Sequence, residues 1–246
     1  MKKLVFFALI SILYIPINAQ IITQASYCRY EASQVIDPEK GITLYDNLNV
    51  NLGGKNVRYD EENNLVQGWV EDYYESGTVL HRGYYLDGQL RTFKNFYDNG
   101  KLERRYNASN WRRSKMRTYF STGETRSKIA YYKNKEQKSQ VFYANGKPQF
   151  VEEKNKFAQY YTMTKSFYED GKVKSVFQLT DKSNFTYSKT EYHPNGNVKE
   201  QGAMKFDLAK NAYLKEGHWK RYDDAGKVIA EQTFAAGKAT DNSRNW

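Results

Sequence analysis

The sequence predicts an all-β protein in which antiparallel β-hairpins stack side by side into one elongated sheet. Three observations lead to this prediction. A short aromatic phrase ending in glycine recurs seven times, its copies are 23 to 30 residues apart, and the flanking residues are typical of strands and tight turns. A fixed period in this range signals a stacked repeat architecture. We therefore expect seven to eight repeats, which occupy residues 56–240.

Residues 1–19 have the pattern of a secretory signal peptide. Two lysines precede an apolar run from Leu4 to Leu13, and we expect cleavage between Ala19 and Gln20. The alternative is a transmembrane anchor, but the run is shorter than the ~20 residues that a spanning helix needs. Charges interrupt every later apolar run, so no transmembrane segment is expected after cleavage. The chain is then exported to the periplasm, to the outer membrane or out of the cell.

Cysteine content and charge limit the chemistry further. Cys28 is the only cysteine, which excludes an internal disulfide and the paired-cysteine kind of zinc site. The formal charge is +10, and loss of Lys2 and Lys3 with the signal leaves about +8 (10 − 2). Outside the cytoplasm, a basic protein meets anionic glycans, lipid head groups or acidic proteins more readily than nucleic acid. The alternative is a charged surface that only keeps the protein soluble.

Residues 20–55 lack the repeated phrase, and we expect them to form either a first strand or a cap, as terminal repeats often do. A weaker copy of the phrase follows at residues 58–66, with Asn63 in the position of the glycine. Asparagine tolerates the left-handed backbone that glycine adopts most easily. At the other end of the chain, we expect residues 241–246 to be a frayed tail.

Each repeat is organised around one glycine, which we expect to be a structural turn residue. The seven glycines are Gly77, Gly100, Gly123, Gly146, Gly171, Gly196 and Gly226. A first ring lies four residues before each of them, at Tyr73, Phe96, Tyr119, Phe142, Phe167, Tyr192 and Tyr222. A second ring follows at once in five repeats, and His193 and Asp223 take its place in the last two. We expect these rings to pack one unit against the next, because a lone hairpin is marginally stable in water.

The turn residues predict two strands and two tight turns in each unit. Asn-Gly at 99–100, 145–146 and 195–196 predicts type I′ turns, which need positive φ at both central residues. Within a unit, Asp87-Gly88 marks a second turn. The units lengthen towards the C terminus, where residues 206–215 form either a loop insertion or a short helix.

No constellation of catalytic residues is present in the sequence. It contains no His-Glu-x-x-His stretch, no Gly-x-Ser-x-Gly elbow and no glycine loop that could cradle a phosphate. The three histidines and the carboxylate pairs occupy strand or turn positions of the repeats. We therefore predict no catalytic residue, no cofactor and no metal ligand. An enzyme whose site is assembled from scattered residues remains the alternative.

The segment from Arg104 to Arg117 is the most unevenly charged part of the chain, since it holds six basic residues and no acid. The candidate anion-binding residues are Arg104, Arg105, Tyr106, Trp111, Arg112, Arg113, Lys115 and Arg117. Arginine together with exposed rings can bind phosphate or sulfate groups and stack on sugars. The alternative is a hairpin whose outer face is only solvated.

The repeated phrase resembles that of the MORN-repeat variant family. The resemblance rests on the order aromatic–aromatic–x–x–Gly–Lys–Val/Leu at a 23-residue period, and it covers about residues 56–238. A Gly-x-Trp strand start appears at Gly217 and a shortened form at Gly68, while the middle units lack it. The resemblance implies repeated β-hairpins in an elongated sheet. Bacterial chains of this kind are often labelled YwqK-like antitoxin proteins.

These observations together predict an exported, non-catalytic scaffold or interaction module. It would present an extended β surface to a partner, either an unidentified protein or an anionic glycan or lipid of the envelope. The alternatives are the enzyme with a scattered site and, from the resemblance, an antitoxin-like binding protein.

Overall fold

A computed structural model describes residues 29–110 and 112–240 of the chain, and its strands form one 16-stranded sheet. Each strand pairs with its sequence neighbours, and every pair is antiparallel except β1 with β2. The strands are β1 Arg29–Tyr30, β2 Gly68–Tyr74, β3 Val79–Leu86, β4 Gln89–Phe96, β5 Leu102–Asn110, β6 Arg113–Tyr119, β7 Thr125–Tyr132, β8 Lys135–Phe142, β9 Pro148–Lys154, β10 Tyr161–Phe167, β11 Val173–Asp181, β12 Thr186–Tyr192, β13 Val198–Asp207, β14 Ala212–Tyr222, β15 Val228–Ala235 and β16 Lys238–Ala239. The predicted all-β sheet of stacked hairpins is confirmed.

Among residues 29–110 and 112–240, helical structure is confined to the segment before the repeats. It consists of the four-residue helix α1, Ala32–Val35, and two single-turn 3-10 helices, Asp46–Leu48 and Val50–Leu52. Within the described ranges, no helix has the length and apolar character that crossing a membrane requires. The predicted signal peptide, residues 1–19, and the predicted tail, residues 241–246, lie outside the described residues.

The glycine turns differ from the predicted type I′ geometry. In the loop after β4, Gly100 has φ +78° while Asn99 does not have positive φ. Gly100 N donates to Tyr97 O at 2.9 Å, and Tyr97 N donates to Lys101 O at 2.8 Å. This is a three-residue loop, in which a type I turn is followed by one left-handed glycine. The type I′ prediction for the Asn-Gly turns is therefore wrong, because the loop has three residues rather than two.

The asparagine in these turns acts through its side chain instead. Asn99 Oδ1 accepts a hydrogen bond from Lys101 N at 3.0 Å, and its Nδ2 donates to Ser121 O in the next turn at 3.1 Å. Asn145 makes the same two kinds of contact, to Lys147 N and to Glu169 O. The Asn-Gly pair thus closes its own turn and also ties it to the neighbouring turn.

Type I′ turns occur at the opposite edge of the sheet. Asp87 and Gly88 both have positive φ, at 52° and 70°, in the two-residue loop between β3 and β4. The predicted second turn is therefore confirmed there. The loops at this edge are longer between β9 and β10, between β11 and β12, and between β13 and β14. Residues 206–215 form neither a helix nor an inserted loop: β13 and β14 extend into them, and residues 208–211 make the turn.

The weaker copy at residues 58–66 forms the same turn as the glycine repeats. Asn63 has φ +62°. Its main-chain N donates to Asp60 O at 3.1 Å, and Asp60 N donates to Asn64 O at 2.9 Å, as Gly100 and Tyr97 do in their turn. The prediction that asparagine replaces the turn glycine here is confirmed.

The second ring of most repeats forms a hydrogen bond to the next repeat. Its hydroxyl donates to the main-chain oxygen of the first ring, one unit further on. The donors Tyr74, Tyr97, Tyr143 and Tyr168 reach Phe96, Tyr119, Phe167 and Tyr192 respectively, at 2.7–2.8 Å. His193 Nε2 lies 3.0 Å from Tyr222 O in the equivalent position. The rings therefore join neighbouring units by directed bonds as well as by packing.

The main core lies between the first strands and residues 31–67, which cover one face of them. We call this the covered face and the opposite one the open face. The core residues are Ile42, Tyr45, Val66, Val70, Tyr74, Leu80, Tyr85, Leu90, Phe93 and Tyr106. In the later strands the rings pack on each other, since Phe177 stacks on Tyr187 at 4.5 Å and Tyr213 meets both edge-on at 5.0 and 5.1 Å. Aromatic rings thus supply much of the buried area along the sheet.

Candidate functional site

Strands β5 and β6 divide the predicted basic cluster between the two faces of the sheet. Successive residues of a strand point to opposite faces. Arg104 and Tyr106 lie on the covered face, with exposures of 4% and 0%. Arg105 and Arg117 are exposed and stand directly opposite each other on the open face.

Arg104 anchors the N-terminal segment and is not a surface residue. Its Nη1 donates to both carboxylate oxygens of Asp46, at 2.9 and 2.8 Å, and its Nη2 donates to Lys40 O at 2.8 Å. Tyr106 stacks on Phe93 with the ring centroids 5.6 Å apart. These two members of the predicted anion-binding set are therefore corrected, because burial makes both inaccessible to a ligand.

Glu103, the acidic residue next to Arg104, is also buried, and its pKa is shifted. Burial raises the pKa of Glu103 to about 7, an effect that the charge of Arg104 partly opposes. The Glu103 side chain lies against Gly41, where an added Cβ would stand 2.1 Å from Glu103 Oε1. This acid therefore belongs to the packing of the covered face.

Four other members of the predicted set remain together. Arg105, Arg113, Lys115 and Arg117 are exposed, and the alternation of β5 and β6 places them on the open face. Arg112 is exposed in the turn between the two strands. Trp111 lies outside the described residues.

The open face also carries basic residues that sequence analysis missed. Five cations stand side by side on strands β3 to β7, each directly opposite the next, and we call them the basic row. Its members are Arg82, Lys94, Arg105, Arg117 and Lys128. Neighbouring strands lie ~4.8 Å apart, so the four intervals of the row span roughly 19 Å.

The repeat alignment contained the signal for this row. Its positions lie either six residues before or five residues after a turn glycine. Lys94 and Arg105 flank Gly100 in this way, as Arg117 and Lys128 flank Gly123. Reading the charge at these two positions across all repeats would have predicted the row, whereas a search for charge runs along the chain found only its middle.

Most cations of the basic row form no ion pair with another described residue. Like charges directly opposite each other on a sheet are destabilising. Among the described residues, Arg82 is the one row member with an ion pair, and its partner is Glu71 on β2. At the other end, Lys128 Nζ lies 4.8 Å from the ring centroid of Phe142. The row is therefore a line of positive charge that runs perpendicular to the strands.

Two shallow depressions lie along the basic row. The first has a volume of about 270 Å³ and is lined by Trp69, Arg82, Thr92, Phe93, Lys94, Arg105 and Asn107. The second has a volume of about 260 Å³ and is lined by Lys115, Met116, Arg117, Lys128, Ile129, Ala130, Lys138 and Gln140. Each depression offers at least three cations to one ligand.

A third depression, of about 430 Å³, lies beneath the N-terminal segment. Its charged lining residues are Arg58 and Asp72, which form a bidentate pair at 2.7 and 2.8 Å. Within the described ranges, no three His, Cys, Asp or Glu side chains are grouped so as to hold a metal ion.

Comparison with known proteins supports the repeat assignment. The family model described as "MORN repeat variant" matches residues 92–110, 189–205 and 215–236. No curated protein matches the sequence. Two solved structures of TarM show some similarity. One is an S. aureus TarM mutant in complex with Fondaparinux, alpha-GlcNAc-glycerol and UDP, at 10% identity and a TM-score of 0.27 over 50% of this chain. The other, described as TarM, has 11% identity and a TM-score of 0.26 over 53% of this chain.

This chain spans only 19% and 20% of those two TarM chains. At such scores neither likeness bears on what this protein does. The family matches, by contrast, fall on strands and turns of the observed repeats, namely β4–β5, β12–β13 and β14–β15. Three pairs of neighbouring strands therefore match the MORN repeat variant family model.

Proposed function

We propose that this chain is an exported, non-catalytic interaction module that presents the open face of its sheet to an anionic partner in the cell envelope. The basic row is the observation that carries the proposal. A sheet gains no stability from five cations placed side by side, so the arrangement is best explained by counter-charge that a partner supplies.

The sheet holds these charges in a fixed geometry. Each cation of the row sits on a strand that is paired on both sides, and the turns at the glycine edge are tied to one another by asparagine and lysine side chains. A binding surface on rigid elements positions its groups better than one on loops. The partner thus meets a preformed line of charge.

Titration with heparin and with vesicles that contain phosphatidylglycerol tests this proposal. The variant Arg105→Gln/Arg117→Gln removes two adjacent charges of the row, including the central one. We expect about tenfold weaker binding at low salt, since each exposed charge contact contributes ~0.5–1 kcal/mol. Binding of the parent should also weaken at high salt, because exposed charges are screened within ~8–10 Å.

The matched control is Lys182→Gln/Lys199→Gln, which removes two exposed lysines far from the row. It loses the same net charge, so it should retain the binding of the parent to within about twofold if position rather than total charge matters. Equal losses in the two variants would show that net charge alone drives binding. Absence of binding to both heparin and the vesicles would contradict the proposed function.

A further inference from the structure

We infer that the anionic partner is an acidic polysaccharide, which lies across the strands with its charged groups on the basic row and one sugar ring against Trp69. This inference rests on the proposed function. It starts from the depression of about 270 Å³ near the β3 end of the row, whose lining includes an indole ring and three cations. This depression combines an apolar surface with a few polar groups, as most binding sites for small molecules do.

The basic row suits a linear series of charges better than one compact anion. A single sulfate or phosphate group can reach the two or three cations of one depression. The row continues over five strands, or roughly 19 Å, and a second depression lies near its other end at Lys128. A chain with regularly spaced acidic groups can contact both depressions at once.

A second row, next to the basic one, is uncharged over most of its length. Trp69 pairs with Tyr84, and Tyr84 pairs with Thr92. The Thr92 hydroxyl lies 3.2 Å from the side-chain amide of Asn107. The Trp69 and Tyr84 rings meet edge-on with their centroids 5.6 Å apart. The open face thus offers aromatic surface, a hydroxyl and an amide beside its cations.

These uncharged groups match what a sugar ring presents. A sugar has flat C–H surfaces that pack on aromatic rings, and hydroxyls that both donate and accept hydrogen bonds. Trp69 supplies the ring. The Asn107 amide oxygen accepts from Arg105 Nη2 and Nε at 3.1 and 3.0 Å, so it holds this cation on the same face. The carboxylate or sulfate groups of the same polymer then fall beside Arg82, Lys94 and Arg105.

Other polyanions fit this surface less well. Single-stranded nucleic acid stacks successive bases on a series of aromatic side chains. The rings beside the basic row stand at its two ends, Trp69 and Tyr84 at one and Phe142 at the other, so they provide no such series. Inorganic polyphosphate has no ring to place against Trp69. An anionic bilayer presents a plane of head groups and leaves the floor of the depression without a contact.

The test compares a heparin-derived hexasaccharide with inorganic polyphosphate of equal charge, each titrated into the purified chain. Trp69→Leu should weaken hexasaccharide binding about fivefold or more, as truncation of a buried aromatic contact does, and leave polyphosphate binding within about twofold. Single-stranded oligothymidine serves as a third ligand, and we expect it to bind more weakly than the hexasaccharide. Circular dichroism of each variant verifies that the sheet is intact.

Tyr84→Leu is the second variant, because Tyr84 is exposed on the open face and packs edge-on against Trp69. It should also weaken hexasaccharide binding selectively, because it removes the ring that packs against Trp69, so it decides the question if Trp69→Leu does not fold. Lys182→Gln is the control and should change neither affinity.

Equal effects of these variants on both ligands, or no effect on either, would overturn the polysaccharide assignment. So would oligothymidine that binds more tightly than the hexasaccharide. In each of those cases, weaker polyphosphate binding by Arg105→Gln/Arg117→Gln would still support the proposed function. If no ligand binds the parent chain, the proposed function itself fails.

Discussion

His81 is fully buried within the covered face, where both of its ring nitrogens have partners. Nδ1 lies 2.8 Å from Asn95 Oδ1 and Nε2 lies 3.1 Å from the Tyr85 hydroxyl. The imidazole also stacks on Tyr45 at a centroid distance of 3.7 Å. Burial lowers the pKa of His81 to about 4, although the Asn95 hydrogen bond and the charge of Asp72 act in the opposite direction. The histidine is therefore a neutral core residue at physiological pH.

This burial predicts a pH-dependent loss of stability. The pKa of His81 falls from 6.5 to about 4 on folding, so the unfolded chain takes up a proton in that interval while the folded chain does not. The contribution to the free energy of unfolding is complete above pH 6.5 and decreases as the pH falls towards 4. We expect urea denaturation at pH 7.5, 6 and 5 to show a flatter pH dependence in His81→Gln than in the parent.

The comparison between parent and variant isolates His81 from the acids that titrate nearby. Glu103 has a raised pKa of about 7, so it acts in the opposite sense and stabilises the fold as the pH falls. Its contribution is common to the two proteins and cancels. Parallel pH profiles for parent and variant would show that folding leaves the pKa of His81 unchanged, as it would for a solvated imidazole.

Gly100 tests the turn geometry at a single residue. Its φ of +78° disfavours any residue with a Cβ, and an added Cβ would meet nothing closer than Thr78 Cγ2 at 3.9 Å. We therefore expect the backbone strain in Gly100→Val to lower the free energy of unfolding by at least ~1 kcal/mol.

The neighbouring substitution Lys101→Ala is the comparison for Gly100→Val. Lys101 Nζ donates to Thr122 O at 2.8 Å, so this variant loses one exposed hydrogen bond and should cost only ~0.5 kcal/mol. Chemical denaturation measures both variants. A Gly100→Val protein as stable as the parent would rule out the left-handed backbone at this turn.

At the scale of the strand and its turns, the residues that form the turns could be predicted from the sequence, whereas the register of the strands could not. Each turn glycine could be identified because positive φ has a specific chemical requirement, and Asn63 was identified for the same reason. The type of turn could not be predicted from these residues, since it depends on whether a loop has two residues or three. Register also separates the buried Arg104 from the exposed Arg105, and adjacent basic letters in a sequence do not reveal which of them faces the core.

The hydrogen bond that joins neighbouring repeats can be removed from one junction or introduced at another by a single substitution. Tyr143→Phe deletes the hydrogen bond to Phe167 O and should lower the free energy of unfolding by about 0.5–1.5 kcal/mol. Phe120 occupies the same repeat position without a hydroxyl. Phe120→Tyr should therefore gain a bond to Phe142 O and stabilise the chain by a similar amount.

Thermal and urea denaturation of both single variants and of the double variant test this prediction. The double variant should resemble the parent, because the two sites lie on different repeat junctions and their effects add. A Phe120→Tyr protein that is less stable than the parent would mean that the junction at Phe120 has a different geometry from the others.

At the scale of the whole molecule, the repeats build a surface that no single hairpin contains. Strands β2 to β15 follow one another in sequence order, and their 13 intervals of ~4.8 Å give a sheet about 60 Å long. One cation contributed by each of five neighbouring strands becomes a continuous row only because every hairpin keeps the same register. We propose that this row, and not the overall positive charge, is the contact surface for an anionic partner.

Amine-reactive labelling of the lysines, with and without heparin, tests that claim most directly. Mass spectrometry reports the labelling rate of each lysine separately in the unmodified sequence. Lys94 and Lys128 belong to the basic row, while Lys182 and Lys199 are exposed elsewhere. We predict that heparin slows the labelling of Lys94 and Lys128 and leaves the rates of Lys182 and Lys199 unchanged. Protection spread evenly over all four lysines, or confined to Lys182 and Lys199, would contradict the account.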